Sequence, residues 1–268
     1  MADCISVTTT GAVKILAINS PPWNLMSMDF IDALEVLVDE IAIDDAIRAV
    51  VLTGEGNRNF SAGMDLKQLP DGIERMGSAR AVFDQRLKVI RSIETMGKPW
   101  IATLFGYCLG GGLEIPLGCH FRLAAQEGAK IGLPEMDLGV VPAWGGSARL
   151  VKCVGEHHAL DMILRAKKIS GLEAYRIGLV HEVWPLQELK QAAILLAEEL
   201  AAQPAGAVRS ILKLVVDGQE KPLEELLEAE KMAVQENRGS PDAIEGRKAF
   251  LEKRKPLFNQ RPSEADSS

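Results

Sequence analysis

Three consecutive glycines, Gly110, Gly111 and Gly112, separate two apolar runs near the middle of the chain. No other stretch restricts the fold as much. Glycines in a row let a backbone take positive φ and come close to another group. A turn that opens into a helix also leaves unpaired N–H groups at the positive end of the helix dipole. Such a turn can hold a developing negative oxygen. Glu114 sits just behind the glycines, inside apolar sequence. Glu135 follows after Pro134, ahead of the glycine-punctuated run from Gly139 to Gly146. Two carboxylates beside such a turn can do acid and base work. The glycines alone are equally well explained by a tight turn into a buried helix, with two surface glutamates. The rest of the chain has to choose between these readings.

Length and composition narrow the choice. A chain of 268 residues fits one α/β domain with an appendage, or two small domains. With 47% hydrophobic and 25% charged residues it can build a packed core. A net charge of −7 argues against nucleic acid or an anionic membrane as the main partner. A local basic patch facing a phosphate stays compatible with it. Cys4, Cys108, Cys119 and Cys153 show neither close pairing nor metal-type spacing, so they read as thiols in a reducing compartment. The start MADCISVTTTG lacks a basic-then-apolar signal, and no apolar run approaches about 18 residues. The expectation is a soluble cytoplasmic protein.

Along the chain, strand and helix patterns alternate before helices take over. Residues 13–19 read as a strand ended by Pro21 and Pro22. Ser27 is placed to cap a helix carrying Phe30, Leu34, Leu37 and Ile41 at helical spacing. The β-branched run 49–53 reads as a buried parallel strand. It leads to the loop FSAGMDL at 60–66, where open α/β sheets place ligands. Residues 70–97 are polar with a helical period, and the spacing predicts Phe83, Leu87, Ile90 and Ile93 on one face. Strands are predicted at 99–104, feeding the glycines, and at 121–125. Helical patterns follow at 148–154 and 158–164, and after the cap Ser170. A short strand is predicted at 179–183, a helix at 186–202, and a charged helical region to about 258. This order predicts an α/β fold, a mostly parallel sheet flanked by helices, with a helical C-terminal extension. Trp23 and Trp100 read as core or pocket-wall aromatics. His157, His158 and His181 have no metal spacing.

Three segments, FSAGMDLKQL, KPWIATLFGYCLGGGLEIPLG and GLPEMDLGVVPAWGGSARL, together resemble the crotonase (enoyl-CoA hydratase/isomerase) superfamily. AYRIGLVHEV and GRKAFLEKRKPLF resemble its C-terminal half, so the likeness spans roughly residues 5–258. The resemblance implies a ββα spiral core over residues 1–202, a helical trimerisation region over 203–258, and a disordered tail over 259–268. It implies an acyl-CoA thioester as substrate, with coenzyme A entering as part of it and no separate cofactor or metal. It implies a homotrimer or a dimer of trimers. Two backbone N–H groups, of Met64 and Gly111, are expected to hold the thioester oxygen. Ala62 and the segment Asp65, Leu66 and Lys67 are expected on the coenzyme A side. Lys67 is read either as a phosphate neighbour or as a solvated surface lysine.

Hydratases of that superfamily carry a glutamate behind the glycine triplet and a second in a Pro-Glu motif, and this chain has both, Glu114 and Glu135. The expected reaction adds water across the C2–C3 double bond of an enoyl-CoA. Double-bond isomerisation, hydration of a cyclic dienoyl-CoA and a non-catalytic coenzyme A binder are the other readings. Three departures bear on the substrate. The stretch between the glutamates is one residue longer than the usual pattern. His120 replaces a common aspartate and is read as structural. Trp144 replaces a small residue in VPAWGG; its indole is expected to wall a compact, planar or cyclic acyl group, the other reading being that it points into the core or a subunit interface.

Overall fold

The computed structural model describes residues 4–218 and 221–260. Its strands are β1 (Ile5–Thr10), β2 (Val13–Ile18), β3 (Ala49–Gly54), β4 (Trp100–Leu104), β5 (Tyr107–Leu109), β6 (Phe121–Ala125), β7 (Lys130–Gly132) and β8 (Glu182–Trp184). Its helices are α1 (Met28–Ile43), α2 (Leu69–Met76), α3 (Ala79–Thr95), α4 (Gly111–Gly118) and α5 (Gly146–Leu164). The chain then continues through α6 (Gly171–Arg176), α7 (Leu186–Ala201), α8 (Ala205–Gly218), α9 (Leu223–Arg238) and α10 (Pro241–Leu251).

Six strands form one sheet in the order β1-β2-β3-β4-β6-β8. Only the β1–β2 pair is antiparallel; the others are parallel. Every residue of β3 and β4 is buried, as expected for strands covered on both faces. A second, two-stranded parallel sheet pairs β5 with β7. It lies just outside the end of β4, and α4 starts from it.

α4 is buried along its whole length although Pro116 lies inside it. An internal proline costs a helix about 3 kcal/mol. Full burial of a large aliphatic side chain stabilises by about 1.5–3 kcal/mol, and Leu113, Ile115 and Leu117 are all buried. Packing therefore outweighs the proline. His120 follows the helix. Its Nδ1 accepts from the Trp100 N–H at 3.0 Å, which leaves Nε2–H to donate to the Glu94 carbonyl at 3.2 Å. Burial pushes its pKa down to about 4. It is a neutral brace between α3 and β4, in keeping with its structural reading.

The predicted caps hold: Ser27 accepts from the Phe30 N–H and Ser170 from the Glu173 N–H. Several expectations change. β1 had no counterpart in the sequence reading; it is a threonine-rich, largely exposed edge strand. The helical stretch at 70–97 is two helices, because Gly77 turns left-handed at φ 82° and Ser78 caps α3. The buried face of α3 is Val82, Arg86, Val89, Ile90 and Ile93, one position off from Phe83 and Leu87. The late strand is β8 at Glu182–Trp184, with Leu179 and Val180 buried in the loop before it. Trp100 is a core residue, but Trp23 is 45% exposed and stacks on Tyr107 at 5.7 Å. Asn259, assigned to the tail, accepts from the Ala205 N–H and donates to the Gln203 carbonyl. Residues 261–268 lie outside the described residues. No helix among the described residues is long and apolar enough to cross a membrane.

Candidate active site

The loop at 60–66 is tied on both sides. Ser61 N–H donates to the Tyr107 carbonyl, and Leu109 N–H donates back to the Ser61 carbonyl. On the other side Met26 bridges Met64: Met26 N–H donates to the Gly63 carbonyl, and Asp65 N–H to the Met26 carbonyl. Successive groups of an extended backbone point to opposite sides. The Met64 N–H is therefore turned away from Met26, toward the glycine turn.

The two loops meet backbone to backbone. A Cβ on Gly63 would stand 2.7 Å from the Leu109 carbonyl oxygen and 3.6 Å from the Gly111 nitrogen. A Cβ on Gly112 would collide with the Ser61 carbonyl oxygen. Gly110 takes φ 53° and ψ −124°, a conformation that side chains disfavour. Gly111 is the first residue of α4, so its N–H has no partner within the helix. Among the described residues, neither the Met64 nor the Gly111 N–H is donated to a loop or turn acceptor. The structure thus brings together the two amides that the sequence picked out.

The acids flank them. Glu114 is 2% exposed, and its Oε1 accepts from the Trp144 N–H at 2.8 Å and the Gly146 N–H at 2.9 Å. Glu135 opens a short 3-10 turn, and its Oε1 lies 2.9 Å from where a Cβ on Gly110 would be. Its Oε2 is buried with no hydrogen-bond partner in the protein. Burial raises the Glu114 pKa to about 7; its two backbone hydrogen bonds oppose this, and the Glu135 charge adds to it. Burial also raises the Glu135 pKa. The Glu135 charge thus disfavours ionisation of Glu114, whose carboxyl can give or take a proton near neutrality.

Trp144 is 2% exposed, and its ring lies across Gly111, with Cη2 2.7 Å from the place of a Cβ there. The indole therefore covers the glycine turn and packs into the core, instead of standing free at the rim. On the outer side of the loop, Asp65 Oδ1 accepts from the Lys67 N–H. Leu66 and Lys67 are exposed, and Ala62 N–H donates to the Trp23 carbonyl. Ser61, whose Oγ accepts from the Gly63 N–H, was missed in the sequence and shapes the same loop. Arg86 was missed as well; it is buried with its guanidinium 5.8 Å from the Trp144 ring centroid. Its only signal was a charged residue at the phase that proved to be the buried face. No group of three His, Cys, Asp or Glu residues among the described residues could hold a metal.

One amide from an extended loop and one from a helix start, with two carboxyls of raised pKa beside them, suit chemistry next to a carbonyl that gains negative charge. Residues 8–261 match the family model described as enoyl-CoA hydratase/isomerase, and the chain belongs to that family, within the crotonase superfamily. It is 36% identical to a protein of Bacillus subtilis named probable enoyl-CoA hydratase, over 96% of this chain and 98% of that protein. A protein of Clostridium acetobutylicum named short-chain-enoyl-CoA hydratase is 33% identical over 91% of this chain and 93% of its own length. The crystal structure of an enoyl-CoA hydratase from Bacillus anthracis superposes with a TM-score of 0.91 at 33% identity, covering 97% of this chain and all of that one.

The raised Glu114 pKa has a consequence for stability. The unfolded carboxyl ionises near 4.5 and the folded one near 7, so between these values the folded chain keeps a proton that the unfolded chain has lost. Stability contributed by this group is present below pH 4.5 and falls as pH rises through 7. Glu114→Gln keeps an acceptor for both N–H groups and carries no charge. It should therefore be more stable than the parent at pH 8, by up to about 3 kcal/mol, and no more stable at pH 4.5. Urea unfolding at the two pH values checks this; an equal difference at both would remove the buried-charge account.

Proposed function

We propose that this protein is an enoyl-CoA hydratase, a hydro-lyase that adds water across the C2–C3 double bond of an enoyl-CoA thioester or removes it. The observation that carries this reading is the carboxyl pair beside the Gly110–Gly111 turn: Glu114, which is buried, and Glu135, half-buried with its Oε2 enclosed. The thioester oxygen accepts from the Met64 and Gly111 N–H groups. These donors are fixed in advance by the loop contacts, so they stabilise the enolate without reorganising. Of the glutamate pair, the ionised member takes a proton from the water whose oxygen bonds to C3. The protonated member delivers a proton to C2. One proton is taken and one is given, so the pair still holds a single proton, now on the other carboxyl, and proton exchange with solvent restores the starting arrangement.

Isomerisation of a double bond often needs only one such acid; a second carboxyl beside the turn, Glu135, favours hydration. The segment of half-buried Asp65 and exposed Leu66 and Lys67 lies on the outer side of the oxyanion loop, where it can follow the coenzyme A part of the substrate, with Ala62 beside it. The Trp144 ring packs into the core against Gly111 and closes off the space behind the glycine turn, which fits a compact acyl group. The short-chain relative in Clostridium acetobutylicum agrees with a small acyl group.

The C-terminal helices expose Ile211, Val215, Leu223, Leu227, Phe250 and Leu251. So many large apolar side chains on one region mark an interaction surface. We read it as the contact of a homotrimer, alone or doubled. Light scattering at micromolar concentration should give three or six times the chain mass of 29.1 kDa; a mass of one chain would refute the trimer.

Loss of absorbance of the conjugated enoyl thioester measures the reaction. Glu114→Gln and Glu135→Gln should each lower kcat on a short 2-enoyl-CoA by about 10²–10⁴-fold, in proteins that keep the parent circular dichroism. Near-parental hydration by both variants would end the hydratase reading.

A further inference from the structure

Arg86 is a feature of the interior that the proposed chemistry does not use and that packing does not explain. Its side chain is wholly buried, on a face of α3 otherwise made of Val82, Val89, Ile90 and Ile93. Among the described residues no carboxylate forms an ion pair with it. The nearby Asp32 is engaged by Arg75 at 2.8 Å and by Gln85 at 2.9 Å. Of the five N–H groups of a guanidinium, two from Nη1 reach the Val82 carbonyl and Gln85 Oε1. One from Nη2 points at the Met28 sulfur, 2.8 Å away, a weak acceptor. The Nε–H has no partner. Burial lowers the pKa of the group to about 10, which still leaves it charged at neutral pH. The Asp32 charge acts on the guanidinium but is shared with Arg75 and forms no ion pair with it, so the burial is costly and is retained where something else requires it.

Its location indicates what requires it. The guanidinium carbon is 5.8 Å from the centroid of the Trp144 ring. That same ring covers Gly111, and the Trp144 N–H holds Glu114. Met28, the other neighbour, is two residues from Met26, which bridges Met64. Arg86 thus stands one side chain behind Gly111, on the side of the indole, with Met28 as its other neighbour. Met28 is unbranched, and its sulfur occupies the place of an acceptor. A substrate oxygen could take that place by moving one flexible side chain. A guanidinium with unused donors matches a carboxylate, which can accept two N–H groups at once.

We propose that Arg86 is a specificity-determining residue, selecting short 2-enoyl-CoA substrates that carry a second carboxylate at the far end of the acyl group. This rests on the hydratase reading and names the substrate class of that site. Trp144 limits the length of the acyl group, and Arg86 sets the charge of its end.

Crotonyl-CoA and glutaconyl-CoA differ by one carboxylate on C4 and make the test. The parent protein should hydrate glutaconyl-CoA with a kcat/KM about 10-fold or more above that for crotonyl-CoA. In Arg86→Met the ratio of the two values should fall about 10²-fold. A parent that prefers crotonyl-CoA, or an unchanged ratio in Arg86→Met, overturns the proposal. Calorimetry on the parent, with the saturated analogues glutaryl-CoA and butyryl-CoA, decides the matter even if the variant does not fold. Tighter binding of glutaryl-CoA supports the role of Arg86; equal or weaker binding overturns it. A parent that hydrates neither enoyl-CoA sinks the hydratase reading, while the calorimetric comparison still judges Arg86.

Discussion

The close approach of two backbones organises this site. The 61–64 loop and the 109–112 turn pass near enough that a methyl group on Gly63 or Gly112 would meet a carbonyl oxygen of the other. Ladder-type hydrogen bonds from Ser61 and Leu109 hold them at that distance. Two N–H groups then face the same space, one from an extended segment and one from a helix start. Neither position depends on a side-chain rotamer. A donor pair made of backbone loses no side-chain entropy when it binds charge and has no alternative conformer to populate. The requirement for glycine is therefore steric at Gly112 and Gly63, and conformational at Gly110.

The same turn determines the electrostatics. Glu114 is carried into the core by α4, and the helix can be short and proline-broken because its apolar side chains are buried. The carboxyl then meets two N–H groups from the next glycine-rich turn, at Trp144 and Gly146. Those bonds favour the charged form and burial opposes it, and burial prevails. The outcome is an acid whose proton is exchangeable near neutral pH, which is what proton transfer in water requires. The cost is a charge at the centre of the fold, a common trade at working sites.

Local chemistry was legible in the sequence, and side-chain direction was not. Ser27 and Ser170 could be read as caps because a cap acts within three residues. The glycine turn, Glu114 and Glu135 could be read because each residue type stands against its apolar surroundings. β1 was missed because its threonines are exposed on an edge, where no alternation of burial marks a strand. The face of α3 was misphased because Phe83 and Leu87 look like better core residues than Arg86. Only the packing of α1 and Trp144 against that helix puts a guanidinium inside. Trp23, read as a core or pocket-wall aromatic, is outside the core and stacks on Tyr107, a contact between residues far apart in sequence. The direction of the Trp144 indole depends on the missing side chain of Gly111, thirty-three positions earlier.

The central claim is that a backbone N–H at Gly111 stabilises the oxygen that gains charge. Replacing the amide between Gly110 and Gly111 by an ester, through semisynthesis, removes that one hydrogen and leaves every side chain in place. If the claim holds, kcat for hydration of a short 2-enoyl-CoA falls by about 10²–10³-fold, with the fold and the Glu114 contacts retained. A folded ester analogue with the parent's kcat would contradict it.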